Sequence, residues 1–187
     1  MLARETDRPK TMMLKLQLKV PFAMALDAHA CIPIFHTWIR EAKVPNEVLI
    51  DVADYMHMTE GPFSLLVGHY RDIAFDVDSF GRGLQVVCKR DIEGDTRTQV
   101  RGLFDHMRTV SALLAEALQT IPAKLIAPDR ARLRLNDRLL GSDPEACAAL
   151  ETAVREVASA GTSLEVERSD PRRIPTWLLS HATSVLA

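Results

Sequence analysis

Residues Met13–Ile50 read MLKLQLKVPFAMALDAHACIPIFHTWIREAKVPNEVLI, and this stretch sets the class of the fold. Leu14, Leu16, Leu18 and Val20 alternate with Lys15, Gln17 and Lys19, the period of two that turns one face of a strand to a core and the other to water. Asp27 stands where a side-chain oxygen caps a helix. Ile32, Phe35, Ile39 and Ala42 then recur at helical spacing over about residues 28–42, and Trp38 widens the apolar stripe. Pro33 is awkward inside a helix, which puts the regular part near Ile32 or kinks it there. Val44-Pro45-Asn46 ends the helix. Val48-Leu49-Ile50 lacks alternation, as a short buried strand does. Strand, helix and strand with a short return predict a right-handed parallel crossover.

Further on, Thr59-Glu60-Gly61-Pro62 is a turn. Pro62 suits the first position of a short helix, PFSLLVGHY, and a strand is the alternative because short apolar runs fit both. Ile73, Phe75 and Val77 alternate, residues 78–83 turn, and Leu84–Lys89 returns, which is a hairpin. Thr96 and Gln99 match a capping box ahead of a long amphipathic helix to about Thr120, with Val100, Leu103, Phe104, Met107, Val110, Leu114, Ala117 and Ile121 on its stripe. Arg132–Arg138 alternates as a strand. Ser142 and Glu145 form a second capping box. Cys147, Leu150, Val154 and Val157 line the helix that follows, and Gly161 is placed to end it. Ser163–Glu167 is a last alternating strand, residues 170–173 turn, and the apolar tail docks as a strand or short helix. The sequence therefore predicts one α+β domain over 13–187 behind a flexible N-terminal arm, 1–12. Its mixed sheet has an N-terminal βαβ unit (13–51), a central hairpin, a long helix and a C-terminal βαβ unit (131–167).

Lysine and arginine total 23 against 25 aspartates and glutamates, and 47% of residues are hydrophobic. That balance argues against a nucleic-acid surface and for a substantial core. No apolar run reaches membrane-spanning length, and the polar start MLARETDRPKT lacks a secretory apolar segment. Cys31, Cys88 and Cys147 are distant and odd in number, with no C-x-x-C, so a reducing, cytoplasmic location and inert core thiols are expected.

The densest chemistry lies between Cys31 and His69. Asp51 and Asp54, at the end of a predicted strand, are placed to hold a divalent metal or a catalytic water, with His57 and His69 as further ligands or a base and His36 handling a proton. The plainer alternative is a strand-ending aspartate that caps its own turn. His29 and His36 are seven apart, not the three or four of helical metal pairs. Gly81-Arg82-Gly83 opens no helix and is turn geometry. Gly68 permits close backbone approach or a positive φ. Arg130, Arg132 and Arg134 share one strand face, either as an anion stripe or as a solvated face paired with Glu165 and Glu167, and the second reading is preferred.

The segments IPIFHTWI, LIDVADYMH, LLVGH, the G-L-x-x-x-x-K-R strand at Gly83–Arg90 and R-L-R-x-N-D-R-L at Arg132–Leu139 resemble an uncharacterised bacterial family of cytoplasmic hypothetical proteins. The resemblance covers most of residues 13–170, and the tail after Asp170 departs from it. It implies no activity or cofactor; it implies only that His36, Asp51, Asp54, His57 and His69 belong together. The function expected is that of a small cytoplasmic accessory protein acting through a protein partner or as a homo-oligomer. The alternative is a metal-assisted hydrolase or small-ligand-binding protein with its site in residues 36–69. A pH or redox sensor built on the histidines or Cys31 ranks third.

Overall fold

A computed structural model of the chain describes residues 13–90, 94–127, 129–158, 162–167 and 174–180. The expected arm, 1–12, the proposed cap at Gly161 and the turn at 170–173 lie outside these residues. Alternation in the first strand is realised as β1 (Leu16–Pro21), with Leu16, Leu18 and Val20 wholly buried. A single 3-10 turn, Ala28–Ala30, is capped by the Asp27 carboxylate, which accepts from the His29 amide at 3.0 Å. The helix α1 (Cys31–Glu41) follows directly. Pro33 falls in its first turn, where its missing N–H has no helical acceptor to lose, so the helix runs unbroken. Ala42, in the left-handed region at φ 48°, closes it.

Four strands come next as a meander: β2 (Leu49–Asp54), β3 (Gly61–Gly68), β4 (Arg71–Asp78) and β5 (Gly81–Cys88). The helix predicted from Pro62 is thus a strand, and the alternative holds. The β4–β5 turn is tighter than predicted, since Asp78 already pairs with Gly81. The long helix is α2 (Thr96–Ala117), and its cap is Asp95 rather than Thr96, the Asp95 carboxylate accepting from the Thr98 amide at 2.8 Å. Gln99 instead ties the helix to the sheet, accepting from the Leu14 amide at 3.0 Å. Two short helices, α3 (Pro122–Leu125) and α4 (Arg138–Gly141), flank β6 (Arg130–Leu135). The helix α5 (Pro144–Val157) is capped by Asp143, one residue beyond the predicted Ser142. The tail supplies a strand: β7 (Ser163–Val166) pairs with β8 (Thr176–Ser180).

The eight strands form one sheet in the order β2-β3-β4-β5-β1-β6-β8-β7, and every neighbouring pair is antiparallel. The class is α+β, as expected, but the sheet is antiparallel rather than mixed. Both βαβ units keep their helix and their common strand direction without pairing their strands. β1 and β2 run the same way with β5, β4 and β3 between them, and β6 and β7 run the same way with β8 between them. The connection β5–α2–β6 does likewise around β1. The first crossover travels one way along the sheet and the other two travel back on strands of reversed direction. Right-handed connections then put all three helices on one face. Trp38 of α1 and Leu113 of α2 wall a common cleft, and Arg97 of α2 reaches Glu156 of α5 at 2.7 Å. The main core lies between this helical layer and the sheet.

Among the described residues, no helix is long and apolar enough to cross a membrane.

Candidate functional site

The five residues singled out in the sequence do not converge. His36 is exposed on α1. Asp51 and Asp54 are exposed on β2 and, three apart on an extended chain, face opposite sides of the sheet. His57 follows the end of β2. His69 lies beyond the other end, where its amide donates to the Val48 carbonyl at 2.8 Å. The strand between them spans roughly 17 Å at ~3.3 Å per residue, whereas metal–ligand bonds are about 2.0–2.6 Å long. Among the described residues no group of three or more His, Cys, Asp or Glu side chains is placed to hold a metal ion. The expected shell of Asp51, Asp54, His57 and His69, with His36 beside it, is therefore corrected: these side chains ring a sheet edge.

Their local partners explain why. Asp54 Oδ1, at the strand end, accepts from the Met56 amide at 2.9 Å, the turn-capping role of the plainer alternative, while Asp51 Oδ1 accepts from the adjacent Val52 amide at 2.8 Å within the strand. His69 Nε2 lies 3.1 Å from Arg90 Nη1. Arginine only donates, so in this contact Nε2 is the acceptor. The ring also meets Tyr70 edge-on at 4.7 Å.

Two buried ionic groups, neither apparent in the sequence, hold the sheet instead. On the face without helices, Lys19 Nζ of β1 donates to Asp76 Oδ2 at 2.6 Å and Asp78 Oδ1 at 2.8 Å, both on β4. Arg132 of β6 closes the group on Asp78. The Phe80 ring, at the β4–β5 turn, lies under the guanidinium groups of Arg130 and Arg132 at 5.0 and 4.9 Å. Lys19 is completely buried and Arg132 is 3% exposed. At Arg132 the stripe is thus buried and paired with Asp78 rather than with the last strand, whereas Arg130 is exposed and the half-buried Arg134 feels the charge of Glu167. Burial alone would raise the Asp78 pKa, but its bonds to Arg132 and Lys19 hold the carboxyl down at about 2. Alternating Lys15/Lys19 and Asp76/Asp78 carried the signal, yet only the sheet order makes them meet.

The second group lies under the β3–β4 turn. The Glu47 side chain is fully buried, with Oε1 accepting from the Tyr70 amide at 2.7 Å and Oε2 3.6 Å from Arg71 Nη1. Gly68 is required here: a Cβ would fall on the Arg71 carbonyl oxygen and come within 2.9 Å of Glu47 Oε1. Of the two reasons for this glycine, close approach is the operative one. His106, from α2, is 6% exposed, and burial, aided by the Arg71 charge, lowers its pKa to about 4. Burial raises the Cys88 thiol to about 11 against the opposing pull of Arg71, and raises Cys31 to about 12. All three cysteines are buried, and thiols raised as those of Cys31 and Cys88 are do not act as nucleophiles at neutral pH.

What the 36–69 region does present is a surface. β2, predicted as buried, is an outermost strand, with no described strand beyond it. Nine large apolar side chains are exposed among the described residues: four of them, Val48, Ile50, Tyr55 and Met58, belong to β2 and its flanking segments, and a fifth, Tyr70, lies in the β3–β4 turn whose His69 amide bonds the Val48 carbonyl. Val48 is 61% exposed and Ile50 57%. Ile50 is the extra residue where the register shifts between Leu49 and Asp51. A cleft of about 370 Å³ lies between α1 and α2, lined by Trp38, Ile34 and Leu113 with Glu41 and Glu116 at its rim.

No protein-family model matches the chain, and no curated protein matches it significantly.

Proposed function

We propose that this chain is a small accessory protein that acts by contact with another protein chain, a partner or a second copy, at the β2 edge of its sheet. One observation carries this reading: of the exposed large apolar side chains among the described residues, most gather at the outer edge of β2, which no described strand pairs. Scattered single apolar residues need no explanation, whereas a cluster beside an open strand edge is what strand-adding partners use. A reducing, cytoplasmic location suits three buried cysteines with no disulfide among the described residues. Among the described residues the metal-hydrolase alternative finds no converging donors, and a sensor built on Cys31 meets a buried thiol.

The test is site-specific photo-crosslinking in the native host, with a crosslinking phenylalanine analogue at Tyr55 and, as control, at Leu139 on the distant α4. Tyr55 is expected to yield one discrete adduct and Leu139 none. A lone monomer by native mass spectrometry, with no adduct from Tyr55, overturns the proposal.

A further inference from the structure

The two outer edges of the sheet, at β2 and β7, both carry exposed carboxylates. Residues 44–70 contain no lysine or arginine. Asp51, Asp54 and Glu60 are exposed there, and none is ion-paired among the described residues. At the opposite edge Glu165 and Glu167 are exposed. If a second copy laid its β2 against this β2, the Asp51–Asp54 segments would face each other. If it offered β7, Glu165 would face them. Both arrangements oppose like charges across a strand pair, and charged edges are a means by which β proteins reject their own copies.

The same charges that reject a copy select something else. Main-chain bonds supply affinity to any added strand, and charge opposite Asp51 and Asp54 decides which strand is accepted. We infer that the β2 edge takes an extended basic segment of a different protein as a further strand, with two basic residues three positions apart enclosing two apolar ones. The spacing follows from the strand. The bulge at Ile50 confines regular pairing to Asp51–Asp54. Asp51 and Asp54 face opposite sides, so their counter-charges must also be three apart, and the residues between lie opposite Val52 and Ala53. This inference rests on the protein-contact role proposed above and narrows it to one class of partner.

The probe is a labelled, capped octapeptide, Thr-Thr-Lys-Val-Val-Lys-Thr-Thr, titrated by fluorescence anisotropy, beside the same peptide with both lysines replaced by glutamate. The lysine peptide is expected to bind at least roughly tenfold more tightly, to weaken with added salt, and to protect the outward amides of β2 from hydrogen exchange. The double variant Asp51→Lys/Asp54→Lys is expected to reverse the preference. Asp51→Asn/Asp54→Asn, which keeps the shape, is expected to abolish it. Equal binding of the two peptides, or protection that appears elsewhere, overturns the inference. So does a dimer whose subunits part when Asp51 becomes lysine, though that outcome leaves the protein-contact role standing. A monomer that binds neither peptide and yields no crosslink at Tyr55 overturns both.

Discussion

His106 makes the stability of this protein sensitive to mild acid. The ring is buried on α2, its Nε2 has no hydrogen-bond partner, and Arg71 is the charged group that acts on it. Its ordinary pKa of 6.5 falls to about 4 in the folded chain. Between these values the unfolded chain binds a proton that the folded chain refuses. Stability is therefore complete above pH 6.5, declines as the pH falls to 4, and loses nothing more from this group below that. The difference of 2.5 units corresponds to about 3 kcal/mol at 1.36 kcal/mol per unit, of which about 2.5 kcal/mol is lost by pH 4.5. The assay is urea unfolding at pH 7.5, 6.5, 5.5 and 4.5 for the native chain and for His106→Leu, which packs in a similar volume without a titrating group. The variant should equal or exceed the native chain at pH 7.5, and the gap should widen in its favour by roughly 2–3 kcal/mol by pH 4.5. Two curves that stay parallel across this range would refute the reasoning.

Asp78 gives a separate acid signature at lower pH. Its pKa is held at about 2 against an ordinary 3.8, so about 2 kcal/mol is present above pH 3.8 and lost as the pH falls towards 2, and Asp78→Asn should flatten that limb of the stability curve. Lys19→Ala leaves Asp76 buried without its cation and should cost about 3–5 kcal/mol, lowering the melting temperature by roughly 10 °C. Adding Asp76→Leu to Lys19→Met should recover most of that loss, and a double variant no better than Lys19→Ala would show that the cost does not come from a stranded charge. Gly68→Ala drives a methyl group into the Arg71 carbonyl and should destabilise by about 2–3 kcal/mol in chemical unfolding, with faster exchange of the Tyr70 amide that Glu47 now holds.

Strands β1, β4, β5 and β6 are legible because each gathers most of its apolar residues on one face, although both faces are buried mid-strand, and the stripes on α1, α2 and α5 are legible because helix burial is equally periodic. β3 misled because Leu65-Leu66-Val67 is apolar without interruption: Leu66 is buried under the helices while Leu65 and Val67 are only half-buried on the opposite face. β2 misled more seriously. Val48 and Ile50 are apolar yet 61% and 57% exposed, because a strand's burial is decided by its neighbours in the sheet. The ionic groups were illegible for the same reason. Lys19 and Asp76 stand 57 positions apart, and β1 and β4 face one another only across β5. Local pattern encodes which face a residue takes; it does not encode which strand lies alongside.

The position of β1 has a consequence for how the chain is made. This strand is synthesised first among the eight and ends near the middle of the sheet, between β5 and β6. The meander β2–β5 can form from neighbouring residues as it emerges. β1 must wait for β5 on one side and for β6 on the other, as the Asn136–Gln17 hydrogen bond, which spans 119 residues, illustrates. Until then its leucine row has no second flank and Lys19 lacks the Arg132 arm of its ionic group. Such distant pairing is slow and leaves apolar surface open in the meantime. A nascent chain halted before Arg130 would thus present a five-stranded sheet with β1 as an open edge, making the growing polypeptide a client for chaperones until the last third of the molecule arrives.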